Sequence, residues 1–187
     1  MDSTIFAVPQ PALNAQRVLL RPHAAADPAA LATLLNDSGV ACHLLLVPHP
    51  YSQSDEKAWL SGTSRRWRAG ATPTSSSSGS RIGGSSAAPA SGSRPPTIGR
   101  NSATGSGGRS GARGLATEAA ARLVRFGFEG LGLHKMTASH FSDNPASGRV
   151  LLRIGMVSEG ARRDHYRRWG TFRTIEVYAL LWEEWRG

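Results

Sequence analysis

A chain of 187 residues with 40% apolar content has material for one hydrophobic core. Its formal charge of +9 favours anionic partners, nucleic acid or a phosphate-rich cofactor, without choosing between them. A single cysteine, Cys42, excludes an intrachain disulfide and a thiolate-rich zinc site, while the lack of a signal-like start or bilayer-length apolar run gives the expectation of a cytoplasmic protein with no membrane partner.

In chain order, Arg17 to Arg21 reads as a short strand ended by Pro22. Asp27 followed by Pro28 predicts a helix start, with Leu31, Leu34 and Leu35 as its apolar stripe. A second helix is expected to open near Ser54. Asp55 and Glu56 would sit in its first turn, where negative charge suits the helix dipole, and Trp59, Leu60 and Trp67 would anchor it. Arg65, Arg66 and Arg68 fit its last turn or a solvated face.

Residues 71–112 differ in kind. This Ser/Gly/Arg-rich segment has no aromatic and no acidic residue, and Ile82 and Ile98 are its only large aliphatics. It cannot bury enough surface to offset its chain entropy, so disorder is the expectation. A loop of this length inside a compact domain is itself anomalous.

Periodicity then returns. Leu115, Ala119, Leu123 and Phe126 recur at helical spacing, with Gly127 and Gly130 near the end. Met136 to Phe141 reads as a strand. Asn144-Pro145 opens another helix, which Gly155 closes, with Val150, Leu151 and Ile154 on one face. In the last stretch Ile175, Val177, Ala179 and Leu181 alternate with Glu176, Tyr178 and Leu180, as in a half-buried strand.

Two constellations could carry chemistry. The first is Arg113-Gly114-Leu115-Ala116-Thr117-Glu118-Ala119, a basic glycine turn opening a helix. Its exposed amides and helix dipole would attract phosphate, although an ordinary linker and helix start would read the same way. The second is Asp143-Asn144-Pro145-Ala146-Ser147-Gly148, in which Asn144 is a capping residue and Ser147 a solvated hydroxyl on the simpler reading. His134, Lys135 and His140 surround a strand without an evident third metal ligand, so surface or core histidines are expected. Cys42-His43 has no visible acid or base partner and reads as packing. The run from Arg162 to Trp169 reads as a solvated hairpin, with nucleic-acid contact as the other option.

Taken together, RGLATEA and DNPASGRVLLRIGM resemble the pyrophosphate-binding motif and the following strand-to-helix segment of the GNAT N-acetyltransferases. RVLLRP, RRDHYRRWGTF and VYALLWEEW resemble the RimJ/RimL-like branch of that family, and the likeness covers both flanks of the chain. The resemblance implies an α/β GNAT fold over residues 1–187 as a single N-acetyltransferase domain: a mixed, mostly antiparallel sheet flanked by helices. It implies acetyl transfer from acetyl-CoA to a primary amine, on a protein N-terminus or a small molecule. By the same likeness Arg113, Gly114, Ala116, Thr117 and Asn144 would hold acetyl-CoA, and Ser147 would protonate the leaving thiolate. The acceptor pocket would be built from the first helices and the terminal hairpin. A metal ion is not expected.

The family pattern also requires a hairpin and a central strand before RGLATEA, where this chain has residues 71–112, and it has glycine where this chain has Ala112. Serine, glycine and arginine runs are what GC-rich codons give in a wrong frame. Shifted by one base, such codons for Ala71 to Ser85 can read DAHFVVERLADRRLV, and those for Gly99 to Ala112 can read QELGYWLGRPVWG. The first is an amphipathic hairpin, and the second runs into Arg113-Gly114 as the family pattern would. The segment is therefore read as frameshifted, and the chain as written is expected to have weak stability and little or no turnover. The alternative function is a basic nucleic-acid-binding protein with a disordered Ser/Gly/Arg linker. The absence of RGG repeats and of aromatic stacking residues in the segment weighs against it.

Overall fold

The computed structural model describes residues 11–22, 28–44, 47–56, 58 and 114–187. The expected stripe and last turn of the second helix (Trp59 to Arg68), the segment 71–112, and Arg113 lie outside the described residues.

The chain begins with a small antiparallel pair, β1 (Leu13–Asn14) and β2 (Leu19–Leu20). The expected strand over Arg17 to Arg21 is thus only its central pair, and its partner β1 was not anticipated. Helix α1 (Pro28–Leu35) starts at the proline, whose missing N–H costs nothing in a first turn. Asn36 ends it, and Asp37 caps the short α2 (Ser38–Ala41) by accepting from the Gly39 amide. Residues 53–56 are helical, as the reading near Ser54 expects.

Helix α3 (Leu115–Arg125) continues into a wider π-type turn, Phe126–Gly130, in which the Leu131 amide reaches back to the Phe126 carbonyl at 3.0 Å. Its buried residues are Ala119, Ala120 and Val124, with Leu123 and Phe126 only packed against the core edge. The apolar face is therefore rotated from the expected Leu115/Ala119/Leu123/Phe126 stripe: Ala119 is buried as expected, while Ala120, Val124 and Phe128, carried by the wider turn, supply the rest of the buried face.

Strand β3 (Lys135–Phe141), helix α4 (Pro145–Arg153), and the long hairpin of β4 (Val157–Arg168) and β5 (Thr171–Leu181) complete the described chain. The sheet order is β3-β5-β4, with both pairings antiparallel. Phe141 stands opposite Ile175, and Arg168 opposite Thr171. Register shifts in β4 fall between Ser158 and Gly160 and between Arg162 and Tyr166. The hairpin turns through Trp169 and Gly170, both at positive φ, the handedness that matches twisted strands.

One face of this sheet carries the core. Met136 and Ala138 of β3, and Tyr178 and Leu180 of β5, meet Val124 of α3, Leu151 of α4 and Phe128. Full burial of each large apolar side chain contributes roughly 1.5–3 kcal/mol. Because Ile175 and Ala179, on the other face of β5, are buried as well, β5 is a doubly covered central strand. The expected half-buried alternation fails there, since Tyr178 and Leu180 are core while Ile175 and Ala179 are buried too.

Candidate active site

Gly114 caps α3 in the left-handed conformation, φ 74°, with no side chain to bond the first turn. The Glu118 amide closes that turn on the Gly114 carbonyl at 3.1 Å. Helix geometry leaves the amides of Leu115, Ala116 and Thr117 without intrahelical acceptors. Ala116 and Thr117 are half-buried.

Arg17, in the turn between β1 and β2, reaches this end of the helix. Its Nε donates to Glu118 Oε2 at 2.8 Å, and its backbone amide donates to Oε1. The Arg17 amide, and after it the guanidinium, hold the Glu118 carboxyl below its ordinary value. A terminal nitrogen of Arg17 lies 3.6 Å from where a Cβ on Gly114 would stand. A second tie, Arg122 Nε to the Asn14 carbonyl at 2.9 Å, fastens the β1–β2 pair to α3. A left-handed glycine, a helix N-terminus and a guanidinium thus meet at one place, a combination that suits a pyrophosphate. The sequence reading took Arg17 to Arg21 as a short strand and RVLLRP as a family likeness, and missed the Arg17–Glu118 pair, which no local spacing could reveal across 101 positions.

At the second corner Asn144 caps α4. Its Oδ1 accepts the Ser147 amide at 3.3 Å, and its own amide bonds the Phe141 carbonyl at 2.8 Å. The capping reading of Asn144 therefore describes its carbonyl oxygen. Ser147 is half-buried. Asp143 pairs with Arg173 of β5, whose guanidinium also lies 4.7 Å from the Phe141 ring centre. The hydrogen bond from Arg173, and more weakly the charges of Arg173 and His43, hold the Asp143 carboxyl below its ordinary range. Because α3 and α4 pack against each other and share the core, the two helix N-termini belong to one layer.

Beneath α4 lies a group the sequence reading left as a surface or core histidine. His140 is 6% exposed, with Nδ1 2.7 Å from the Phe141 carbonyl and Nε2 3.5 Å from the Tyr178 hydroxyl. A carbonyl only accepts, so Nδ1 carries a proton towards it, and Nε2 faces the Tyr178 hydroxyl. The rings stack with centroids 5.5 Å apart. The alternation Met136, Ala138, His140 along β3 carried the signal that this histidine shares the core face.

The third region spans Asn36 to Glu56. Asn36 bonds both the amide and the carbonyl of Tyr51, at 2.7 and 3.0 Å. Arg168, at the tip of the β4–β5 hairpin, donates to the Val47 carbonyl at 2.6 Å and more weakly to that of Ala41, and the Trp169 ring lies 5.5 Å from that of His49. The Cys42 thiol makes a long contact to the Gly39 carbonyl, at 3.5 Å. Glu56, read as a helix-dipole residue, is instead buried, at 1% exposure.

The family model described as acetyltransferase (GNAT) domain matches residues 17–157. The chain is 38% identical over 68 residues to the uncharacterized N-acetyltransferase YoaA of Bacillus subtilis (strain 168), a match covering 36% of this chain and 38% of that protein. Matches to the curated relatives span about two fifths of those proteins' length. Among solved structures, an acetyltransferase (GNAT family) from Bacillus anthracis superposes with a TM-score of 0.68 at 21% identity, over 92% of this chain and 99% of that one. The ribosomal-protein-S5-alanine acetyltransferase from Vibrio fischeri does so with a TM-score of 0.63 at 12% identity, over 95% and 100%. These two likenesses are of fold.

Proposed function

The chain belongs to the GNAT acetyltransferase family, and on that premise we propose that its reaction is transfer of acetyl from acetyl-CoA to a primary amine, on a protein N-terminus or a small molecule. The observation that carries this is the left-handed Gly114 at the start of α3, with Arg17 beside it, in one layer with the Asn144-capped start of α4.

Arg113, Gly114, Ala116 and Thr117 would hold the pyrophosphate through backbone amides, with Arg17 adding charge. The amide nitrogen of Asn144 would contact the cosubstrate while its oxygen keeps the cap. Acetyl-CoA supplies the activated acetyl thioester. Transfer forms a carbon–nitrogen bond and breaks the carbon–sulfur bond; the amine gives up a proton, and the departing sulfur takes one. Ser147 is the donor of that second proton. His140 and Tyr178, beneath the same turn, fix its position.

Residues 71–112 are a frame-shifted stretch in this reading, so the chain as written binds acetyl-CoA better than it turns it over. Isothermal titration with acetyl-CoA, repeated in excess RNA and DNA, tests the assignment. Saturable binding indifferent to nucleic acid is expected. Displacement by nucleic acid would favour the basic nucleic-acid-binding alternative.

A further inference from the structure

The outer strand β4 presents a surface that acetyl transfer leaves unused. It is an edge of the described sheet, and every residue from Val157 to His165 is exposed. Arg162, Arg163 and Arg167 are all exposed, and among the described residues none of the three pairs with a carboxylate. Asp164 is the one acid between Gly160 and Arg173. A guanidinium keeps its charge at any ordinary pH, so this strand carries a fixed positive field.

Aromatic rings lie among these charges. Trp169 is 52% exposed and Phe172 60%. The Arg168 guanidinium stands 4.6 Å from the centre of the Trp169 ring, and that of Arg167 stands 5.9 Å from the centre of Phe172. The rings of His165 and Tyr166 meet edge to face at 4.4 Å. The ladder breaks at the same place. Arg162 is opposite Ile175 and Tyr166 opposite Arg173, so Arg163, Asp164 and His165 face Thr174 alone. Asp164 sits at φ 48°, its amide bonded to the Thr174 hydroxyl at 3.2 Å. A bulge of this kind bends the strand and re-aims its side chains.

A strand that merely faces water would carry the charge without the bare rings. Antiparallel pairing of this edge with a second copy, centred on the same stretch, would bring arginine against arginine. Phosphates match the guanidinium charges, and bases match the rings. A base stacks on a side chain only when it is free of a duplex. We propose that the β4–β5 hairpin binds single-stranded nucleic acid, with phosphates on Arg162, Arg163 and Arg167 and bases on Trp169 and Phe172. The surface adjoins the α4 corner, where the Ser142 amide bonds the Thr174 carbonyl at 3.1 Å and Arg173 pairs with Asp143. None of its residues belongs to the Gly114–Arg17 corner. The proposal therefore stands apart from acetyl transfer, and nucleic acid on the hairpin leaves the phosphate cradle open.

The test is fluorescence anisotropy of a short fluorescein-labelled single-stranded RNA titrated with the full chain across a range of salt. Heparin, a polyanion without bases, and the same RNA annealed to its complement are the comparison ligands. The parent should bind the single strand more tightly than the duplex or heparin. The double variant Arg162→Ala/Arg163→Ala should flatten the slope of log affinity against log salt by about 1.4, from about 0.7 for each phosphate contact on a single strand. Phe172→Ala and Trp169→Ala should each weaken binding about tenfold and leave the slope unchanged. Arg153→Ala/Arg186→Ala, which removes two exposed charges elsewhere, should change little. Ultraviolet cross-linking of the parent to thiouridine-substituted RNA should map to the hairpin, a readout that does not depend on any variant folding. Equal losses in the two double variants would reduce the effect to net charge and overturn the proposal. Parental binding in both aromatic variants, equal affinity for heparin, or cross-links confined to other elements would overturn it too. Competition between this RNA and acetyl-CoA would count against two separate surfaces, whereas RNA binding without any acetyl-CoA binding would sink the acetyltransferase reading alone.

Discussion

Gly148 lies directly on His140: a Cβ at position 148 would stand 2.7 Å from His140 Nε2 and 3.4 Å from the Tyr178 hydroxyl. Helix α4 reaches β3 at this point because residue 148 has no side chain, and the close approach sets the height of the Asn144–Ser147 turn above the sheet. Two effects of Gly148→Ala oppose each other. Helix propensity favours alanine by about 1 kcal/mol, whereas forcing a methyl into a packed ring interface costs about 1–3 kcal/mol. Because His140 is held at Nδ1 by the Phe141 carbonyl and stacked on Tyr178, it cannot step aside easily. The steric term should win, and urea denaturation of Gly148→Ala should show a net loss. In His140→Ala the added methyl has room, so the double mutant should be more stable than the sum of the two single changes. Additive effects would mean the contact does not matter.

Position 114 fails differently. A Cβ there meets only Arg17, at an ordinary contact distance of 3.6 Å. The penalty for Gly114→Ala is therefore conformational, roughly 1–2 kcal/mol for a left-handed alanine. Gly114→Asn, which tolerates that region, should recover part of it. Calorimetric titration with acetyl-CoA should weaken in the order glycine, asparagine, alanine. A variant with parental stability and parental binding would remove Gly114 from the cradle.

Acid should loosen both corners of the site. The Arg17 amide and guanidinium hold Glu118 below its ordinary value of 4.5, and the Arg173 hydrogen bond holds Asp143 below 3.8. A depressed carboxylate stabilises the fold fully above its unfolded value, and the contribution is lost as pH falls through the folded one. The urea midpoint should be flat from pH 7 to about pH 5 and then drop towards pH 3. Glu118→Gln should start lower at pH 7 and fall less steeply. A Gln variant with the parental slope would show that this pair is not responsible.

The flanks were legible because their signals are local. Pro28, the Asn144-Pro145 step and Gly155 punctuate helices through their own backbone chemistry, and the observed elements begin or end there. Burial of β5 was misread because alternation reports one covered face, and Tyr178 gains its cover from helices distant in sequence. Glu56 was misread for a related reason: a carboxylate in a first turn looks like a dipole partner whether it faces water or the interior. The Arg17–Glu118 pair has no sequence signature at all. His140 was accessible through the period of β3, which outweighed the general rule that a lone histidine carries no information.

Restoring the frame across residues 71–112 should change the protein more than any point substitution. If single-base shifts bracket this stretch, a gene corrected to encode DAHFVVERLADRRLV and QELGYWLGRPVWG in place of the matching stretches should give a chain with a higher melting temperature and measurable release of CoA thiol. The added strands would bring apolar alternation that the Ser/Gly/Arg segment lacks. Sequencing the coding DNA from Arg68 to Gly114 is the direct check. Codons that cannot yield those strings in a shifted frame, or a corrected chain no more stable than the parent, would make the segment a genuine insertion.

In that corrected chain Ser147→Ala isolates the proton donor. Ser147 lies in the first turn of α4, its amide held by Asn144, and it is half-buried. The substitution removes a hydroxyl without touching the cap, so stability should change by less than about 0.5 kcal/mol. If the hydroxyl protonates the departing sulfur, kcat should fall roughly 100-fold with little change in KM, as expected for an interaction made only in the transition state. A donor acting on the leaving group also makes a second demand. An acyl donor whose thiol is more acidic than CoA needs less help, so Ser147→Ala should lose less on an activated aryl thioester than on acetyl-CoA. Equal losses on both donors would assign Ser147 to positioning and leave the proton to another group.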